Sequence, residues 1–106
     1  MAIKIMINRG LYIRFSEEDC KRVFMYKWTA TNCKKHKKDK WYAVTRPVID
    51  GKRVTLYLHR YLTDCPTGME VDHIDNDGLN NVRDNLKVVS KAENLKKMNA
   101  DRKKAK

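Results

Sequence analysis

Between Met69 and Asn94 the chain changes character three times within a span that leaves few ways to fold. Met69–Ile74 has apolar residues at spaced positions and reads as a strand, and Asp75–Asp84 is a loop rich in Asp, Asn and Gly. Leu86–Val89 reads as a second short strand. Ser90-Lys91-Ala92-Glu93 then forms a capping box, in which a hydroxyl and a carboxylate satisfy the orphan N–H groups of a helix start. The prediction is a β-hairpin with a long loop that runs directly into a helix. Twenty residues separate His73 from Asn94, so the first helical turn returns within side-chain reach of Val71–His73.

The rest of the chain supplies short elements to pack around that hairpin. Ile3, Ile5 and Ile7 alternate with polar or flexible neighbours, Asn8-Arg9-Gly10 supplies a turn, and Leu11–Phe15 returns, which predicts a first hairpin. Ser16 before Glu17, Glu18 and Asp19 is an N-cap signal for a helix reaching about Tyr26. Trp41–Ile49 and Lys52–Leu58 flank Asp50-Gly51 as another hairpin, and Pro47 gives its first strand a free edge. Leu58–Leu62 reads as a short helix and Cys65-Pro66-Thr67-Gly68 as a turn. Trp28, Trp41 and Tyr42 read as residues of a small core. The expected fold class is α+β: one small domain of 106 residues with β-hairpins, in which 1–57 precedes the hairpin-and-helix unit of 58–106.

Charge narrows the partners. The net charge is +11, which on a small domain points to a polyanion, most simply nucleic acid. Its distribution is uneven: 1–40 carries +7, 41–69 carries +2 and 85–106 carries +6, whereas 70–84 carries −4 through Glu70, Asp72, Asp75, Asp77 and Asp84 against Arg83. A surface that only grips phosphates gains nothing from that reversal. A divalent cation with oxygen ligands tolerates it, and so does a plain polar loop. The longest apolar runs are four residues, far below the roughly 20 that a membrane helix needs. No N-terminal signal pattern is present, and three widely spaced cysteines argue against a disulfide framework. The expectation is a cytoplasmic, non-secreted protein without a membrane partner. Cys20, Cys33 and His36 lack a fourth ligand and paired spacings, so a structural zinc is not expected.

With these residues in view, Asp72-His73-Ile74-Asp75, Leu79-Asn80-Asn81, Asp84-Asn85-Leu86 and Glu93-Asn94 together resemble the HNH endonuclease motif, in the version found in phage and intron-encoded homing endonucleases. Leu58-His59-Arg60-Tyr61-Leu62 and Gly68 resemble the lead-in of that group, and Trp28 with Trp41-Tyr42-Ala43 resembles the N-terminal region of many phage members. The resemblance covers most of 11–95, with its core at 58–94. It implies a C-terminal ββα-metal motif in a DNA endonuclease that hydrolyses phosphodiester bonds by nicking or double-strand cleavage. His73 would be the general base, and Asp72 and Asn94 the two protein ligands of one divalent ion, leaving its other positions to water and DNA. Asn85 would be a structural amide pinning the loop. Asn rather than His as the last ligand favours Mg²⁺ or Mn²⁺ over zinc. Successive strand residues face opposite ways, so Asp72 and His73 serve one site only if the strand ends, twists or bulges there.

Other residues keep two readings open. His59, with Arg60 beside it, is either site-adjacent and near DNA phosphate or a buried, hydrogen-bonded histidine. Asp75 and Asp77 either assist the metal or cap the loop, and Asn80 and Asn81 read as turn residues tolerating unusual backbone angles. Lys34, Lys35, Lys37, Lys38 and Lys40, and Lys96 and Lys97 in the tail, read as DNA phosphate contacts, the alternative being solvated charge. Duplex DNA is the expected partner of a monomer or homodimer. With a dozen residues after Asn94, no C-terminal DNA-reading module is expected. The rival function is a catalytically inactive DNA- or RNA-binding module that retains the fold.

Overall fold

Two strands that alternate buried and exposed residues start the chain. In the computed structural model, which describes residues 1–33 and 40–94, β1 (Ala2–Met6) pairs antiparallel with β2 (Tyr12–Ser16). Arg9 and Gly10 take positive φ in the turn between them, a conformation that costs glycine little. Asn8 Oδ1 accepts the Ala30 N–H at 2.6 Å, tying this turn to the next sheet. Ile13 and Phe15 point inward from β2 and are fully buried.

After β2 the chain makes one 3-10 turn, Glu17–Asp19, and one α-helical turn, α1 (Cys20–Val23). The expected helix to Tyr26 is therefore cut short. Ser16 makes no capping bond, because its hydroxyl accepts the backbone N–H of Arg83 at 2.9 Å instead. Trp28 Nε1–H donates to the Val23 carbonyl at 2.7 Å, which takes an acceptor from the end of α1 and seats the indole in the core.

The second sheet runs in the order β3 (Thr29–Cys33), β4 (Lys40–Thr45), β7 (Leu56–Tyr57). The run expected from Trp41 to Ile49 breaks at Arg46-Pro47, where the missing proline N–H ends the ladder. Beyond it, β5 (Val48–Ile49) and β6 (Lys52–Arg53) form a separate small ribbon across the Asp50-Gly51 turn, whose two positive φ values suit a tight hairpin. The helix α2 (Leu58–Thr63) follows and buries Leu58 and Leu62 against the same core as Ile13, Phe15, Val23, Trp28, Ala43 and Leu79.

Finally β8 (Met69–His73) pairs antiparallel with β10 (Leu86–Ser90), in register from Leu86↔His73 to Ser90↔Met69. The intervening loop carries β9 (Asn80–Asn81), which joins the first sheet by running parallel to β2, with Asn81 opposite Phe15. Asn80 and Asn81 are thus strand residues. The positive φ of this loop falls on Asn76. Residues 91–94 are helical, and Ser90 Oγ accepts the Glu93 N–H at 3.1 Å as the capping pattern anticipates. The Glu93 carboxylate, however, accepts from the Ser90 hydroxyl at 3.3 Å. Mixed strands and short helices around one core make an α+β domain.

Candidate functional site

The strand alternation of β8 sorts the site into two faces. Glu70 and Asp72 fall on one, Val71 and His73 on the other. Regular pairing continues through His73, and then the strand stops: Ile74 N–H donates to the Asn85 carbonyl at 2.9 Å and Asn76 N–H to the His73 carbonyl at 2.8 Å. Asp72 and His73 are therefore the last two residues of the strand. The charges of Asp75, Asp77 and Asp72 all act on the His73 ring.

His73 is turned inward and is 6% exposed. Its Nε2 lies 3.0 Å from Asn81 Oδ1. The His59 ring stands edge-on to it at 5.0 Å between centroids, and Tyr42 lies 5.9 Å away. Burial is the largest influence on His73 and pushes its pKa down, against the opposing pull of Asn81 and the three aspartates, so the imidazole is neutral at pH 7. His59 is more strongly affected: burial, then the nearby His73 and Arg60, lower its pKa to about 3. His59 is an aromatic wall of the His73 pocket, with Tyr42 at 5.3 Å and Tyr57 at 5.7 Å. Among the described residues its Nδ1 has no hydrogen-bond partner. Arg60 takes a different part, donating to the Met69 carbonyl at 2.9 Å and so fixing the start of β8.

On the opposite face, Asn94 reaches back from the first helical turn and its Nδ2 donates to the Glu70 carboxylate. That bond orients the amide and leaves Oδ1 as the atom suited to a hard cation. Glu70, Asp72 and Asn94 are all half-buried. Sequence reading singled out Asp72 and Asn94 but gave Glu70 no role, although its position two residues before Asp72 puts both carboxylates on one strand face. No three His, Cys, Asp or Glu side chains among the described residues converge as a cation site. A cation here would take much of its shell from water and phosphate, as Mg²⁺ does.

The loop between the strands is locked by one carboxylate and one amide. Asp75 accepts from the Asp77 N–H at 2.8 Å, Asn80 Nδ2 at 2.8 Å and Asn85 Nδ2 at 2.9 Å. Asn85 also donates to the Asn80 carbonyl at 2.8 Å, and its Oδ1 accepts the Asp75 N–H at 3.0 Å. Burial alone would raise the Asp75 pKa, but the bonds from Asn80, Asp77 and Asn85 outweigh it and hold the carboxyl below its ordinary range. Asp77 caps the following turn through Leu79 N–H at 3.0 Å. These bonds give both aspartates loop-capping work. Gly78 lets the loop lie on β4: a Cβ there would meet the Trp41 carbonyl at 2.2 Å and the Tyr42 ring at 2.7 Å.

The loop is also anchored to the N-terminal part of the chain. Arg83 donates to Asp19, a fully buried carboxylate, at 2.6 and 3.0 Å. Among the basic candidates, Lys40 opens β4 opposite Cys33. Lys34, Lys35, Lys37, Lys38, Lys96 and Lys97 lie outside the described residues, as does His36.

Residues 58–96 match the family model described as HNH endonuclease. Over that segment the chain is similar to HNH endonucleases. The chain is also similar to the H-N-H endonuclease F-TflI of Escherichia phage T5, with 35% identity over 68 residues, which is 57% of this chain and 35% of that protein. The chain therefore spans about a third of the length of the curated relative it matches. No solved structure matches it. The matched HNH segment begins at α2 and takes in β8, the locked loop, β10 and the first helical turn, so His59, Asp72, His73, Asn81, Asn85 and Asn94 all fall within it. Among the described residues no helix is long and apolar enough to cross a membrane.

Proposed function

We propose that this chain is a metal-dependent HNH DNA endonuclease that hydrolyses the phosphodiester backbone of duplex DNA, with β8, β10 and the following helix acting as a ββα-metal unit. The observation that carries the reading is the neutral, oriented His73 at the end of β8, directly after Asp72, in a segment matching the HNH family. A neutral imidazole has a lone pair for the proton of an attacking water. As that proton moves to His73, the water oxygen bonds to phosphorus, the bond from phosphorus to the 3′ oxygen breaks, the leaving 3′ oxygen takes a proton from solvent water, and His73 later returns its proton to solvent. The products are a 3′-hydroxyl and a 5′-phosphate.

Asp72 and Asn94 are the residues that would hold the divalent ion, with Glu70 fixing the Asn94 amide; their oxygens suit Mg²⁺ or Mn²⁺. When bound, the ion supplies charge stabilisation at the phosphate and the leaving oxygen. Asn85 keeps the loop closed so that Asp72 and His73 stay at the strand end. In the 1–57 part, Arg46, Lys52 and Arg53 are exposed on and beside the β5–β6 ribbon and are suited to phosphate contact. Lys34–Lys40, Lys96 and Lys97 add positive charge to the same task. A monomer with one such site would nick, and a homodimer could cut both strands.

The test is a plasmid-nicking assay in Mg²⁺ or Mn²⁺, with and without chelator. Chelator-sensitive conversion of supercoiled to nicked or linear DNA supports the reading. Binding without cleavage in either metal rejects it and favours the inactive-module alternative.

A further inference from the structure

Asn81 is fully buried, yet its Nδ2 has no hydrogen-bond partner among the described residues. An orphaned buried donor costs about 1–3 kcal/mol, so an apolar residue of the same shape would serve the core better. What Asn81 does offer is Oδ1, 3.0 Å from His73 Nε2. An amide oxygen only accepts hydrogen bonds, so the nitrogen facing it must carry the hydrogen. In a neutral imidazole the other nitrogen then holds the lone pair.

We infer that Asn81 is the positioning residue of the catalytic histidine: by accepting Nε2–H it fixes the His73 tautomer and makes Nδ1 the basic nitrogen. The inference rests on His73 as general base and adds which atom acts and what selects it. Asn81 can do this rigidly because β9 is paired with β2, where Phe15 opposite it is fully buried. The N-terminal hairpin is thus the wall against which the imidazole is set.

The test uses heteronuclear NMR of the ring nitrogens in the metal-free full chain at about pH 8, above the ordinary imidazole range of about 6.5. Wild type should show His73 as the Nε2–H form. Asn81→Leu, which removes the acceptor, should shift the population towards Nδ1–H, and its kcat should fall about 10- to 100-fold. Its KM should stay within about two-fold. Asn81→Asp keeps an acceptor and should retain the Nε2–H form. A dominant Nδ1–H form in wild type overturns the inference, as does an Asn81→Leu spectrum matching wild type. If Asn81→Leu fails to fold, wild type and Asn81→Asp still decide the matter. A wild-type Nε2–H form alongside undiminished cleavage by His73→Ala would leave the Asn81 assignment standing and remove only the general-base reading.

Discussion

Two histidines in contact have different surroundings. His73 meets an acceptor and three aspartates, while His59 meets rings and another imidazole. His59 therefore titrates at about 3 when folded and about 6.5 when unfolded. The folded state binds fewer protons, so this stability is complete above about pH 6.5 and is lost as pH falls towards 3. The slope from such a group is on the order of 1.4 kcal/mol per pH unit. His59→Phe keeps a ring beside Tyr42 and Tyr57 and should flatten urea midpoints between about pH 4 and 6 by a comparable amount. Some slope remains, since burial lowers His73 as well. Glu70 acts on the other face. Glu70→Ala frees the Asn94 amide to rotate and should weaken Mg²⁺ binding about 10- to 100-fold by titration calorimetry, while Glu70→Gln should recover part of the loss.

At the scale of elements, the loop between β8 and β10 is held by packing as well as hydrogen bonds. Gly78→Ala would push a methyl group onto the Trp41 carbonyl and the Tyr42 ring, and should cost about 1–3 kcal/mol in urea unfolding. Arg83→Met would leave the Asp19 carboxylate buried without its cation and should cost on the order of 2 kcal/mol, with Arg83 half-exposed and partly screened. How much of this was legible follows from sequence distance. β8, β10 and the Ser90 cap were readable because each rests on neighbours: alternation within a strand, and a hydroxyl three residues before the N–H that donates to it. The placements of Asn81 and Asp19 were not, because they depend on residues more than sixty positions away, Asn81 on its register with Phe15 and Asp19 on its bond from Arg83. The same long-range contact explains the shortened helix after Ser16, whose hydroxyl was diverted to Arg83. Local pattern shows what a residue favours, whereas tertiary competition decides which partner it takes.

For the whole molecule, the net charge of +11 divides into basic segments on either side of the acidic 70–84 window. DNA affinity should fall steeply with salt, each phosphate contact adding about 0.9 to the slope of log K against log salt. Replacing Arg46, Lys52 and Arg53 together by Ala should lower that slope by about 3 in fluorescence titrations if all three touch phosphates, and by nothing if the ribbon stands clear of DNA.

In the proposed function, one neutral imidazole at the end of β8 is what lets this basic fold cut the DNA it would bind. The deciding measurement is plasmid nicking in Mg²⁺ by wild type and His73→Ala, with DNA affinity measured in parallel. Cleavage should fall about 10²- to 10⁴-fold in His73→Ala, with affinity nearly unchanged. Cleavage by His73→Ala at the wild-type rate, or equal loss of cleavage and binding, would contradict that role for His73.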